Sequence, residues 1–244
     1  MTEMGSLQSD KRIILVTGAS KGIGRAASLA LAKAGNHVIA TARSTKALEK
    51  LDDEVKAASG ASATLIPLDL RDFASIDKLA SLLLERFGRL DGLVGNAGVL
   101  GTLGPLEQVT PQAFQETLDV NFSANWRLIR AVHPLLRVSP AGRALFVTSG
   151  VVPRPRAFWG VYAATKAALE TMIACYADET ENTPIRVNLF DPGAVRTEMR
   201  GKAVPGEDPL TLPTPDDVAS TIPQYLAAEC ALHGQRIVFA KRKA

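Results

Sequence analysis

The chain has two cysteines, no apolar run near the length of a membrane span and almost no net charge, and each shortage removes a class of protein. Cys175 and Cys230 lack metal-ligand spacing, so no metal site is expected, and both thiols read as packing residues in a reducing compartment. No stretch approaches the roughly 20 apolar residues that cross a bilayer. The polar start MTEMGSLQSD lacks the charged and apolar parts of a signal peptide, which predicts a cytoplasmic protein with no membrane partner. The net charge is only +3, and no strip of Lys and Arg with interleaved aromatics suggests a nucleic-acid groove. The basic run Lys241-Arg242-Lys243 reads as a solvated terminus. Repeats and long linkers are also missing. The 244 residues, 46% hydrophobic and 22% charged, therefore suit one domain over 11–244 with a substantial core, preceded by a disordered segment over 1–10.

What is present is an alternation of apolar runs and amphipathic stretches. Strands are expected near 12–17, 36–41, 63–67, 91–95, 143–148, 185–190 and 235–240, with helical patterns between them. That order predicts an α/β fold: a doubly wound, mainly parallel seven-stranded sheet with helices on both faces. The stretch 193–214, GAVRTEMRGKAVPGEDPLTLPT, has no clear period and is longer than an ordinary connection. It reads as a lid or as a surface excursion.

Two local patterns carry chemistry. KRIILVTGASKGIGRAASLALAKAG reads as a strand, a glycine-rich turn and an amphipathic helix, with Gly18, Gly22 and Gly24 in the turn. Glycines there permit positive φ and a close approach to a pyrophosphate, and the free N–H groups of the helix start attract its charge. The spacing Gly-x-x-x-Gly-x-Gly differs from the common Gly-x-Gly-x-x-Gly, and taken alone the loop is equally a plain turn. Far along the chain, Ser149 precedes Tyr162 and Lys166. In a helical pattern those last two lie one turn apart on the same face, so ammonium and phenol are expected to meet. Moving a phenol pKa from about 10 to about 7 takes roughly 4 kcal/mol of preference for the phenolate, which a fixed cation supplies. A serine, tyrosine and lysine so placed suit proton transfer to a carbonyl, while Tyr-x-x-x-Lys by itself is also the pattern of a surface pair.

With Thr17-Gly-Ala-Ser-Lys-Gly-Ile-Gly24, Asp69-Leu70, Asn96-Ala-Gly98, Asn121, Ser149, Tyr162-x-x-x-Lys166 and Pro192-Gly193, the chain resembles the classical short-chain dehydrogenase/reductase family over nearly its whole length. The resemblance implies a single Rossmann-like domain and an oxidoreductase acting on CH-OH and C=O groups. Its implied catalytic residues are Asn121, Ser149, Tyr162 and Lys166. Ser149 would hold the carbonyl oxygen and Tyr162 would pass the proton. Lys166 would lower the Tyr162 pKa and bond the nicotinamide ribose, and Asn121 would hold a water that links Lys166 to solvent. Asn125, one turn on, competes for that last role. The implied cofactor set is Gly18, Ser20, Lys21, Gly22, Ile23, Gly24, Arg43, Asp69, Leu70, Asn96, Ala97, Gly98, Tyr162, Lys166, Pro192, Gly193, Val195 and Thr197. Asp69 would accept from the adenine amino group, or else cap the following turn. Gly95 stands where the family usually has a first asparagine.

Cofactor choice follows from charge near the adenosine ribose, where a carboxylate favours NAD and cations favour the 2′-phosphate of NADP. The position that holds an acid in NAD-preferring relatives is Ala42, followed by Arg43, and Lys21 lies in the glycine loop. NADP(H) is therefore the preferred cofactor, with NAD(H) as the alternative and solvated surface charges as the bland explanation of both cations.

The segment between Ser149 and Tyr162 offers Phe158 and Trp159 as apolar walls beside Ser149 and Tyr162 for a carbonyl or alcohol substrate. Arg154 and Arg156 read as anion contacts or, more commonly, solvated charges. A reductase of the 3-oxoacyl or ketone type, a homodimer or homotetramer, is the expectation, although the final strand lacks the paired glycines common in the family. The rival readings are an NADP-binding sensor without turnover, which typically loses the tyrosine or lysine, and an epimerase or dehydratase of the longer relatives.

Overall fold

Successive side chains of the first strand enter two different cores, and the whole fold is arranged around that division. The structure is a computed structural model and describes residues 11–240. The expectations for residues 1–10 and for the basic tail lie outside the described residues. In β1 (Ile13–Thr17), Ile13 and Leu15 belong to one apolar cluster and Ile14 and Val16 to the other. The period-2 alternation of a strand sends them to opposite faces, so each face needs a cover of helices.

The strands after it are β2 (His37–Ala42), β3 (Thr64–Pro67), β4 (Gly92–Gly95), β5 (Arg143–Val147), β6 (Arg186–Asp191) and β7 (Arg236–Val238). They form one seven-stranded sheet in the order β3-β2-β1-β4-β5-β6-β7, with every pairing parallel. The first six strands match the sequence expectation to within a residue at each end. The last is shorter than 235–240, because it pairs with β6 over three residues only.

On one face, α3 (Phe73–Phe87), α5 (Ala124–Val138) and α6 (Gly160–Thr180) contribute Leu79, Leu83, Leu128, Val132, Leu169 and Ile173 to the core. On the other, α1 (Gly22–Lys33), α2 (Thr45–Ser59), α8 (Pro215–Ala219) and α9 (Ile222–Leu226) contribute Leu31, Leu48, Leu51, Val218 and Leu226. Ser44 caps α2 by accepting from Ala47 N at 3.2 Å, and Asp72 caps α3 by accepting from Ser75 N at 3.1 Å. Gly60 and Gly88, both at φ +73°, end those helices in the left-handed conformation that glycine adopts without strain.

Three departures from the sequence reading have physical causes. The single helical pattern around Asn121 is α4 (Pro111–Leu118) joined to α5 through a π-helical turn at Asp119–Ser123. The aperiodic stretch 193–214 contains α7 (Glu198–Ala203), capped by Thr197, and a 3-10 turn at Pro209–Thr211. It holds its shape because Arg196 donates to the carbonyls of Pro209 and Leu212 at 2.7 and 3.2 Å, while Arg200 pairs with Glu207. Cys175 is exposed, since it falls on the outer side of α6, so of the two thiols only the half-buried Cys230 fits a packing role.

Among the described residues, no helix is long and apolar enough to cross a membrane. At the sheet's centre, a Cβ on Gly95 would run into the Phe146 ring and stand 3.0 Å from Asn125 Oδ1. Phe146 thus fills the space that a larger residue would take. Gly95→Asn, which restores the residue usual in the resembled family, is expected to destabilise the fold by about 1–3 kcal/mol in urea unfolding, with Phe146→Leu recovering part of the loss. Unchanged stability would mean that the Phe146 ring yields freely.

Candidate active site

The strand order reverses between β1 and β4, and the connections leaving those two strands part at their carboxyl ends, leaving a crevice there. A cleft of about 420 Å³ lies along that edge. Its floor near β1 is the glycine loop. Gly18 and Gly22 have φ of +66° and +57°, and a Cβ on Gly18 would come within 2.9 Å of Ala97 Cα. Gly24 is needed for a different reason: it does not line the cleft, and a Cβ there would overlap the Gly18 carbonyl and the Asn96 amide. Asn96 fastens the loop to β4 by donating through Nδ2 to the Thr17 carbonyl at 2.9 Å, while Thr17 Oγ1 accepts from Asn96 N and Ala97 N at 3.0 Å. The start of α1 has no capping side chain and no acidic residue in its first turn, so no side chain of the helix itself competes for its N–H groups. Together these features form a cradle in which a pyrophosphate fits.

The cleft brings together Gly18, Ser20, Lys21, Gly22, Ile23, Arg43, Asp69, Leu70, Asn96, Ala97, Gly98, Ser149, Trp159, Tyr162, Lys166, Pro192, Gly193, Val195 and Thr197. Lys21 is not idle there. Its ammonium pairs with Glu198 at 2.5 Å across the cleft mouth, and Glu198 also holds Lys202. Asp69 lines the wall and in addition caps the following turn, with Oδ1 accepting from Arg71 N at 3.0 Å and the Arg71 guanidinium alongside. The structure shows the turn-capping role of Asp69 directly.

Phe158 corrects an expectation. It is 60% exposed and outside the cleft, with its backbone at φ +71°, while its neighbour Trp159 turns inward and meets Tyr162 edge-on at 6.0 Å. Arg154 and Arg156 are exposed and also outside the cleft. Sequence reasoning missed the α7 side of the cleft, where Glu198, Met199, Arg200 and Ala203 contribute. A signal was present: Thr197 followed by an acid is the start of a capped helix.

Asn121 lies behind the wall, fully buried. Its side chain accepts from Val99 N at 2.8 Å and donates to Val99 O and Thr165 Oγ1 at 2.9 and 3.0 Å. Its own carbonyl accepts from Asn125 Nδ2 at 2.9 Å.

The electrostatics differ from the simple expectation that Lys166 lowers the Tyr162 pKa. Burial pushes the Tyr162 phenol above its ordinary value; a hydrogen bond with Ser149 works against that shift, and the Asp191 charge adds to it. Lys166 is turned to the main chain, donating from Nζ to the Val147 carbonyl at 2.8 Å. A buried ammonium takes the nearest acceptor. Burial lowers its pKa to about 8, with Glu170 opposing. Because the folded-state value lies below the ordinary 10.5, the unfolded chain binds more protons between those two pH values, and stability rises with pH across that window. Compared with Lys166→Met in urea unfolding, the wild-type chain is expected to gain about 3 kcal/mol from pH 8 to pH 10.5. A constant difference between the two would show that the ammonium is not desolvated.

Comparison with known proteins agrees with this geometry. The short chain dehydrogenase family profile matches residues 12–208. The oxidoreductase YciK of Escherichia coli is 41% identical over 217 residues, covering 88% of this chain and 84% of that protein. Sepiapterin reductase of Chlorobaculum tepidum is 32% identical over 88% of this chain and 89% of its own length. A short chain dehydrogenase of Shigella flexneri, solved in complex with NADP, superposes with a TM-score of 0.89 at 37% identity, covering 93% of this chain and 96% of the other. A relative from Escherichia coli, solved with NADPH, gives the same TM-score and identity over 93% and 95%. The chain belongs to the short-chain dehydrogenase family and is an oxidoreductase.

Proposed function

We propose that this protein uses NADPH to reduce the carbonyl of a small organic substrate of the ketone or 3-oxoacyl type, with Tyr162 as proton donor. The observation that carries the reading is the convergence of Ser149 and Tyr162 on one wall of a cleft whose floor is the glycine loop, above a buried Lys166. The preference for NADP rests on Ala42 and Arg43 at the end of β2, and on the cofactors bound by the two solved relatives. The glycine loop, Asp69 and Leu70, Asn96 to Gly98, and Pro192 to Thr197 are assigned to holding the cofactor. Residues 193–214 act as the substrate-covering segment, and the working form is a cytoplasmic homo-oligomer.

When bound, NADPH supplies the hydride for the carbonyl carbon. Ser149 donates a hydrogen bond to the carbonyl oxygen and polarises it. The Tyr162 phenol, kept protonated by burial at neutral pH, gives that oxygen its proton. Lys166, buried and with a pKa near 8, changes protonation at little cost and restores the phenol's proton. Asn121 completes the return path through its π-helical carbonyl, with Asn125 holding that carbonyl in place.

Two measurements test this. NADPH oxidation is followed by absorbance against 3-oxoacyl thioesters, simple ketones, aldehydes and quinones, and Tyr162→Phe is expected to lose at least about 100-fold in turnover while still binding NADPH. A variant with near wild-type turnover would overturn the proton-donor role. In thermal unfolding NADPH should stabilise more than NADH, ligand at a hundredfold over Kd being worth about 2.7 kcal/mol. Equal shifts would remove Arg43 as the discriminating charge.

A further inference from the structure

Behind the cleft, one guanidinium joins three elements. Arg236, the first residue of β7, donates from Nε to Glu170 Oε1 at 3.0 Å, from Nη2 to Asp191 Oδ2 at 2.9 Å, and from Nη2 to the main-chain carbonyl of Ser149 at 3.2 Å. Each partner leads to the site. Glu170 lies one turn beyond Lys166 on α6 and also accepts from Thr148 Oγ1 at 2.6 Å, beside Ser149. Asp191 ends β6 and its other oxygen accepts from Gly193 N at 2.9 Å, fixing the Pro192-Gly193 turn. Burial opposes the charge of Arg236, yet Glu170 and Asp191 outweigh it and hold its pKa above the ordinary value.

We propose that Arg236 is a positioning residue for the reduction: it sets the Ser149 main chain, the Lys166 helix and the Pro192-Gly193 turn in one register and cancels the negative charge of Asp191 and Glu170 behind Tyr162 and Lys166. The proposal rests on the reading of Ser149, Tyr162 and Lys166 as the reacting centre. The charged groups facing that centre are Lys166 and Glu170 from α6, Asp191 from β6 and Arg236 from β7, with the Ser149 hydroxyl the neutral neighbour of the phenol. Asp191 and Glu170 both act on this pair, the first raising the Tyr162 pKa and the second that of Lys166. Arg236 is thus the cation that balances two carboxylates the site would otherwise feel in full. A packing residue would need no such fork of donors.

The test uses Arg236→Met, Arg236→Lys and the double variant Arg236→Met with Asp191→Asn, the titration being made on the NADP-bound protein and the affinity on protein freed of cofactor. Tyrosinate absorbance is titrated with pH, and the Tyr162→Phe titration is subtracted to isolate the Tyr162 phenol. Arg236→Met should raise the Tyr162 midpoint by about one pH unit, Arg236→Lys should move it less, and Asp191→Asn should bring the Arg236→Met midpoint back down. NADPH affinity, read by its fluorescence, should fall in Arg236→Met by about tenfold and recover in the double variant, since a freed Asp191 carboxylate disturbs Gly193. Loss of affinity with no rescue, or a midpoint that ignores Arg236, would overturn the proposal and leave Arg236 a fold residue. Turnover retained in Tyr162→Phe would instead overturn the reading of the reacting centre, and the affinity series would then judge Arg236 by itself.

Discussion

The site depends on the pair of side chains that tie β1 to β4 where the sheet changes direction. Connections leaving β1 and β4 turn to opposite faces, which opens a crevice but also separates the two loops that must act together. Thr17 and Asn96 close that gap by hydrogen bonding each other's backbone, and Asn96 reaches into the glycine loop. The loop is thereby fixed to the sheet by the chain's own groups. Gly18 and Gly24 are the complement of this tie: each is small because Ala97, Asn96 or the loop's own carbonyl occupies the space a side chain would take.

The back and front of the cleft are held by interactions of different strength. At the back, Lys166, Asn121, Thr148 and Asp191 are all buried, and their polar groups find partners in the chain. Leaving any one of these groups unpaired in so dry a place is costly, which makes the arrangement rigid. At the front, Lys21 and Glu198 meet with side chains 72% and 53% exposed. Water and salt compete for both charges there, so the contact is weak and exchangeable. The α7 helix is therefore tied to the glycine loop by a contact that costs little to break.

Burial also divides the labour between Tyr162 and Lys166. The same dry surroundings disfavour the charged form of each, raising the phenol's pKa and lowering the amine's. The two groups, nearly matched in water, are thus driven apart in proton affinity, so the ammonium yields its proton more readily than the phenol does, which suits an amine that returns a proton to a phenolate. The carboxylates of Asp191 and Glu170 stand close enough to upset that balance, and Arg236 stands between them.

Much of this was legible in the residues themselves. The alternation of apolar runs with amphipathic stretches was enough to read the sheet, because strands covered on both faces are apolar throughout, as IILVT of β1 is. The glycine loop and the Ser149, Tyr162 and Lys166 spacing were also readable, since local backbone chemistry and one helical turn are enough to state them. What the sequence alone could not decide was everything that depends on residues far apart in the chain. Phe158 and Trp159 are equivalent as letters, and only the left-handed turn at Phe158 sends one out and the other in. The order in 193–214 comes from arginine donors meeting carbonyls more than ten residues away. Lys166 has a carbonyl for its partner because β5 passes beneath α6. Sequence by itself determined the elements and the chemical groups available; tertiary structure decided which groups are dry and which of them meet, because desolvation and contact are properties of the packed chain and of no local segment.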